Sequence, residues 1–170
     1  MSRSSILINS GRLVDPFQIE NYSFTMEELI HPLCQLARYT GHGKAPYTVA
    51  EHTHHLIQYV PKHLKRAVAL HDLNEGLTND LPRPFKQKLP EYCEFEERVQ
   101  RHIFALFEEP WENMDAIKEY DFRICQDEMN YLFPNGWDLG VEPLGIEIKC
   151  WPWDIAKLYL SQSMKEIGLL

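Results

Sequence analysis

Residues 67–76 read AVALHDLNEG, an apolar run followed directly by a histidine and an aspartate. The pattern predicts a buried helix. His71, Asp72 and Glu75 would share one face of that helix, because residues three and four apart are neighbours at 3.6 residues per turn. An adjacent histidine and aspartate often occur by chance at a salt-bridged helix end. The pair therefore becomes informative only if further ligands lie elsewhere in the chain.

A second histidine follows a predicted helix start at Thr48. Thr48 and Glu51 have the spacing of a capping box, in which each side chain bonds the backbone amide of the other residue. His52 then lies in the first turn, where the positive end of the helix favours a neutral imidazole suited to binding a metal. We interpret the neighbouring His54 and His55 as a solvated polar pair.

A further carboxylate, Asp121, lies within a later helical pattern. Ile117 and Ile124 are placed at helical spacing around it. An ionised carboxylate beside an apolar stripe is costly unless it is paired or bound to a metal. Asp121 is therefore a fourth candidate ligand.

Two imidazoles and two carboxylates form a mixed nitrogen and oxygen set. Such a set suits a divalent ion such as Co, Mn, Zn or Fe, and Mg stays open. The ion would activate a water for attack on phosphorus at neutral pH. Glu75 is surplus to the four ligands and is the candidate catalytic residue, which would handle a proton of the nucleophile or of the leaving oxygen. The alternative is that Glu75 is a hydrogen-bond partner of one of the histidines.

The order His52, His71-Asp72, Asp121 resembles the signature of the HD-domain phosphohydrolase superfamily. Residues 71–86, HDLNEGLTNDLPRPFK, are similar to its 5'-deoxynucleotidase branch nearly position for position. The resemblance implies a compact, all-α HD-domain helical bundle in which these four residues hold the metal.

That branch has an arginine and a bulky aromatic residue, usually tryptophan, upstream of the first histidine. Arg38 and Tyr39 occupy the corresponding place here. The resemblance implies that Arg38 binds phosphate and that Tyr39 crowds the 2' position of the sugar.

Three further segments are similar to small bacteriophage and prophage HD proteins, a group that includes a dATP triphosphohydrolase. They are residues 10–16 (SGRLVDP), 26–33 (MEELIHPL) and 150–153 (CWPW). This resemblance covers essentially the whole chain, and it implies a deoxynucleotide substrate and a homo-oligomer.

Positive charge for a phosphate must be local, because the chain has 17 Lys and Arg against 25 Asp and Glu. The best candidates are Arg38, Lys86, which follows the His-Asp segment through a proline-bounded loop, and Lys118 on the later helix. We expect all three to converge on one cleft. Asp80 either accepts a sugar hydroxyl or caps the turn before Pro82.

The composition fits one domain over residues 1–170, since 44% of the residues are hydrophobic. A formal net charge of −8 argues against binding nucleic-acid polymers or anionic membranes. We find no apolar stretch of the length of a signal sequence or a membrane span. Four widely spaced cysteines are typical of reduced thiols. We therefore predict a cytoplasmic protein, in the host cytoplasm if it is phage-encoded.

The hydrophobic periodicity predicts an all-α bundle that opens with a small β-hairpin over residues 6–14. We predict helices over residues 25–39, 48–60, 62–76, 91–107, 112–133 and 154–167. Loops are predicted at residues 78–90 and 134–153.

These features favour a dATP or dNTP triphosphohydrolase that releases a deoxynucleoside and tripolyphosphate by attack at the α-phosphorus. A 5'-deoxynucleotidase acting on dNMPs would use the same metal and the same Glu75, and only the room and charge beyond the α-phosphate separate the two. From a different class, a non-catalytic nucleotide-binding HD module would bind without turnover.

Overall fold

The computed structural model describes residues 4–170. Residues 1–3, which begin the segment for which we predict no signal sequence, lie outside that range. The described chain is mostly helical with one two-stranded antiparallel sheet, which confirms the predicted fold class. The α-helices are α1 (Met26–Leu33), α2 (Val49–Tyr59), α3 (Lys65–Leu70), α4 (Glu75–Thr78), α5 (Arg83–Lys86), α6 (Pro90–Leu106), α7 (Asn113–Leu132) and α8 (Trp153–Glu166). Short 3-10 helices cover Pro16–Asn21, Arg38–Gly41 and Lys62–Leu64.

The predicted hairpin is confirmed. Strand β1 (Ile6–Leu7) pairs with β2 (Leu13–Val14), and Gly11 in the turn between them has the left-handed φ of 82° that favours glycine. Arg12 ties the hairpin to α1, because its Nε donates to Glu28 Oε1 at 2.9 Å.

Helix α2 is the centre of the bundle, since it packs against α1, α3, α7 and α8. The hydrophobic core lies among α1, α2, α3, α6, α7 and α8. Its fully buried members include Leu29, Leu56, Val68, Leu70 and Ile103. The functional residues of α2 therefore start from a rigid, buried element.

The start of α2 is as predicted, although only half of the expected capping box forms. Thr48 Oγ1 accepts from the Glu51 amide at 3.1 Å. The Glu51 carboxylate instead accepts from the backbone amides of Lys149, Cys150 and Trp151 at 2.6–2.9 Å. Glu51 therefore fastens the C-terminal segment to α2, which a local pattern does not reveal.

The first predicted helix is too long, because α1 ends at Leu33 and not at Tyr39. Pro32 lies in its last turn, and a proline has no N–H and crowds the preceding turn. The chain then becomes extended and pairs with the segment before α2, where the Arg38 amide donates to Tyr47 O at 2.8 Å.

The predicted helix over residues 62–76 is broken after Leu70. Gln100 of α6, which is 3% exposed, inserts its side-chain amide there. Its Nε2 donates to Leu70 O at 2.7 Å and its Oε1 accepts from the Asn74 amide at 3.3 Å. These bonds take the place of the helical bond from Asn74 to Leu70, so residues 71–74 form tight turns. The premise that the His-Asp pair and the following glutamate share one face of a regular helix is therefore wrong.

The remaining boundaries differ little from prediction. Helices α6, α7 and α8 begin and end within one residue of the predicted positions. The predicted loop at 78–90 is interrupted by the single turn of α5, which Pro82 precedes with its fixed φ. All four cysteines are free, as expected, although only Cys34 is fully buried.

The segment over residues 134–152 is irregular, as predicted. Asp127 of α7 holds it, because its carboxylate accepts from the amides of Leu144, Gly145 and Ile146 at 2.8–2.9 Å. Within residues 4–170, no helix has both the length and the apolar character needed to cross a bilayer.

Candidate metal centre

Four side chains from three parts of the chain meet at one point, where the two histidines are buried and the two aspartates are partly exposed. His52 comes from α2, and Asp121 comes from the middle of α7. His71 and Asp72 come from the turn after α3, where the Gln100 side chain interrupts the helix. His52 Nε2 lies 3.3 Å from His71 Nε2 and 3.1 Å from Asp121 Oδ1. Asp72 Oδ2 lies 3.1 Å from His71 Nε2 and 3.6 Å from His52 Nε2. The predicted ligands are thus brought together, and His52, His71 and Asp72 form a group that can hold a metal ion.

Both imidazoles are oriented by a bond to their other nitrogen. His52 Nδ1 donates to Glu128 Oε1 at 2.7 Å, and His71 Nδ1 donates to the Val68 carbonyl at 2.7 Å. Each ring therefore keeps the lone pair of Nε2 for the centre of the cluster. Because these two partners are already in place, the alternative in which Glu75 orients a histidine is wrong.

The spacing of the His52, His71 and Asp72 donor atoms fits a single ion. Donors bound at about 2.0–2.2 Å around a tetrahedral or octahedral ion lie about 3.0–3.6 Å from one another. The four separations given above span 3.1–3.6 Å, and His71 Nε2 lies 3.8 Å from Asp121 Oδ1. Lone pairs and carboxylates this close repel one another unless a proton or a metal cation lies between them.

The electrostatics of the cluster lead to the same conclusion. Burial by itself lowers the pKa of His71, but Asp72 and Asp121 outweigh it and raise that pKa well above its ordinary value. Burial by itself raises the pKa of Asp121, but hydrogen bonds from His52 and His71 hold it well below its usual range. The site favours positive charge at its centre, which protonated imidazoles or a divalent ion can supply.

Glu75 lies beside this cluster at the start of α4 and is 6% exposed. Its Oε2 is buried without a hydrogen-bond partner among the described residues. Burial and the nearby charges of Asp72 and Asp80 raise the pKa of Glu75 well above its ordinary value, against the opposing effect of Arg38 and Lys86. Such a carboxyl group holds a proton readily and has an oxygen free to exchange it.

Two of the predicted cations lie at the cluster. The Arg38 Nε donates to Glu128 at 3.2 Å, and another guanidinium nitrogen of Arg38 is 3.7 Å from Asp72 Oδ2. Lys86 Nζ pairs with Glu96 at 2.7 Å and is only partly exposed. Arg38 therefore lies next to a predicted ligand, and the charge of Lys86 acts on Glu75 and Asp72.

The other predicted polar residues differ in where they lie. Asp80 lies close enough to the cluster for the charges of Arg38 and Asp72 to act on it, and burial raises its pKa. Lys118, by contrast, is 71% exposed and pairs with Asp115 one turn earlier on α7 at 2.6 Å. Its side chain lies on the solvent-exposed face of the helix, so the structure does not bring Lys118 to the candidate metal centre.

The turn that carries Arg38 is strained. Tyr39 and Thr40 have φ values of 56° and 52°, in the left-handed region that residues with a Cβ rarely adopt. The Tyr39 hydroxyl donates to Glu128, and its ring packs edge-on against Phe133 at 5.6 Å. These contacts show that Tyr39 anchors this turn. Its role at the sugar stays a prediction.

The interpretation of His54 and His55 as a solvated pair is wrong. The two rings lie 5.3 and 5.1 Å from the ring of Trp151, and His54 Nδ1 is 2.9 Å from Ser163 Oγ. Burial and the adjacent His55 lower the pKa of His54 to about 4. Both histidines belong to the packing between α2 and the C-terminal segment.

Sequence reasoning missed Glu128, which is fully buried and contacts His52, Arg38 and Tyr39. It follows Asp121 by seven residues, so it lies two turns further along the same face of α7. This second acidic residue on the Asp121 face of α7 is the sequence feature that could have indicated Glu128.

Comparisons with known proteins do not name an activity. No protein family model matches the chain. Over 86 residues the chain is 29% identical to the uncharacterized protein YfdR of Escherichia coli (strain K12), a match that covers 51% of this chain and 48% of that protein. The chain therefore spans about half the length of the curated relative that it matches.

Proposed function

We propose that this protein is a metal-dependent phosphohydrolase of deoxynucleotides of the HD-domain type. The observation that carries the proposal is the buried group of His52, His71 and Asp72, joined by Asp121, with the unpartnered Glu75 oxygen beside it. The second nitrogen of each imidazole is held by another partner, so both Nε2 atoms face the carboxylates at a common point.

His52, His71, Asp72 and Asp121 would hold the ion. A divalent metal bound there supplies a water of lowered pKa and polarises a phosphoryl oxygen. The reaction joins the water oxygen to the α-phosphorus and breaks the bond from phosphorus to the 5' oxygen. The products are the deoxynucleoside and tripolyphosphate.

Glu75 would manage the proton of this step. Its protonated form donates to the departing 5' oxygen, and its ionised form recovers a proton from the attacking water, so the carboxyl group is restored after each turnover. Its raised pKa suits a donor near neutral pH. Arg38 and Lys86 would neutralise the phosphate oxygens.

A 5'-deoxynucleotidase acting on dNMPs is a second candidate, favoured by one observation. With Lys118 paired on the solvent face, Arg38 and Lys86 are the predicted cations at the cleft, and each is already paired with a glutamate. A short phosphate chain needs less positive charge than a triphosphate. A non-catalytic nucleotide-binding module stays as the candidate from another class. The homo-oligomer and the cytoplasmic location are parts of the same proposal.

The experiment is a chromatographic product assay of metal-stripped protein supplied with Co, Mn, Mg or Zn. The substrates are dATP, the other dNTPs, ATP and the dNMPs. Deoxynucleoside with tripolyphosphate supports the triphosphohydrolase, and orthophosphate from dNMPs alone supports the nucleotidase. Binding without turnover under every metal contradicts the enzyme and favours the binding module.

A further inference from the structure

We infer that Glu128 is a positioning residue that couples His52 of the metal centre to Arg38 of the cleft, so that the affinity for a divalent ion depends on it. The inference rests on the proposed metal centre. It assigns Glu128 no contact with the substrate or the ion.

One carboxylate receives donors from both sides of the site. Glu128 Oε1 accepts from His52 Nδ1 at 2.7 Å, while Oε2 accepts from Arg38 Nε at 3.2 Å and from the Tyr39 hydroxyl. The side chain is 0% exposed. A buried carboxylate that accepts three hydrogen bonds has its hydrogen-bonding capacity well satisfied. It therefore stays in one position and fixes the positions of its three donors.

The two histidines depend on partners of different kinds. His71 donates to the neutral carbonyl of Val68, whereas His52 donates to the charged Glu128. A carboxylate partner fixes the proton on Nδ1 and makes Nε2 a stronger ligand. Loss of this charge therefore affects the binding nitrogen of His52 and leaves that of His71 unchanged.

The other oxygen of Glu128 holds the strained turn. Tyr39 and Thr40 keep left-handed backbone angles that are unfavourable for residues with a Cβ, and such conformations persist only when surrounding contacts impose them. The bonds from Arg38 and Tyr39 to Glu128 are such contacts. The same side chain thus sets the position of the metal-binding nitrogen and that of the guanidinium 3.7 Å from Asp72.

The test uses Glu128→Gln, which keeps the shape of the side chain, removes its charge and turns an N–H donor toward other donors. Co²⁺ affinity is measured by competition with a chromophoric chelator, and we expect it to fall about 10- to 100-fold. Asp127→Asn is the matched control. Asp127 is the adjacent buried carboxylate on α7, and it accepts only from backbone amides of the C-terminal segment among its described hydrogen bonds.

The control separates positioning from general destabilisation. Asp127→Asn should lower the melting temperature and leave the Co²⁺ affinity within about twofold of wild type. Glu128→Gln with unchanged affinity would overturn the inference, as would an equal loss of affinity in both variants. A wild-type protein that binds no divalent ion would overturn it as well.

A second measurement uses the unaltered protein and therefore does not depend on the variant folding. Imidazole nitrogen chemical shifts of the Zn²⁺-bound protein should show His52 protonated at Nδ1 and bonded to the metal through Nε2. A metal-bound or unprotonated Nδ1 overturns the inference. If Glu128→Gln loses affinity while no nucleotide is hydrolysed by wild type, the positioning role stands and the proposed function fails.

Discussion

The Nε2 atoms of His52 and His71 face each other at 3.3 Å across the junction of α2 with the turn after α3. The opposite nitrogen of each ring is held by Glu128 or by the Val68 carbonyl. Both lone pairs therefore point to one place, together with the carboxylates of the cluster. This convergence is what a nitrogen and oxygen metal site requires.

Removal of one imidazole should abolish metal binding. We expect His71→Ala to weaken Co²⁺ affinity by about 100-fold or more, because it deletes a ligand and leaves an open coordination position. The measurement is titration against a chromophoric chelator. His63→Ala, which changes an exposed histidine, is the control and should bind as wild type. Equal binding by both variants would show that the ion sits elsewhere.

Glu75 should be needed for turnover and not for metal binding. Glu75→Gln keeps the shape of the side chain and removes its acid and base function, so we expect turnover to fall by about 10²–10⁴. Metal affinity should stay near that of wild type, since Glu75 is surplus to the ligands. Glu94→Gln, at an exposed position, serves as control. Full activity of Glu75→Gln would exclude the proposed proton transfer.

Lys86 should contribute to substrate binding. Lys86→Gln removes a cation that borders the cleft, and we expect kcat/KM to fall by about 10-fold, mostly through KM. Lys88→Gln removes an exposed cation from the same loop and should leave both constants unchanged. Steady-state kinetics at constant ionic strength measure the difference. The role of Lys86 is refuted if the two variants behave alike.

Glu28 should make the stability of the protein depend on pH. Burial alone would raise its pKa, but hydrogen bonds from Ser10 and the Thr25 amide, and the Arg12 guanidinium, outweigh burial and lower the pKa from 4.5 to about 2. The group therefore stabilises the fold above its ordinary pKa, and this contribution is lost as the pH falls from about 4.5 toward 2.

Urea unfolding of the metal-free protein measures this effect. The free energy of unfolding should differ most between wild type and Glu28→Gln at about pH 6, and the difference should shrink at about pH 3. Glu94→Gln, which changes a carboxylate at an exposed position, should show no such trend. A difference that is constant across this range would contradict the prediction.

The starts of the helices could be predicted because they depend on local contacts. Thr25 and Glu28 form the complete capping box expected from their spacing, and Thr48 caps α2. The break after Leu70 depends on Gln100, 30 residues away, and no local pattern contains that contact.

The candidate site divides in the same way. The ligand types could be proposed from His52, His71-Asp72 and Asp121, because each stands out against an apolar helical pattern. The role of Glu128 needed the structure, since an acidic residue on the Asp121 face of α7 does not by itself indicate a contact with His52. The position of Lys118 also needed the structure, because a helical spacing does not say whether a long side chain leans toward the cleft or toward Asp115.

We propose that one divalent ion is held between the two histidines and the two aspartates. The most direct measurement is anomalous X-ray scattering from crystals of the Mn²⁺-loaded protein. We expect a single strong peak about 2.0–2.3 Å from His52 Nε2, His71 Nε2 and carboxylate oxygens of Asp72 and Asp121. A peak elsewhere, or none at saturating Mn²⁺, would contradict it.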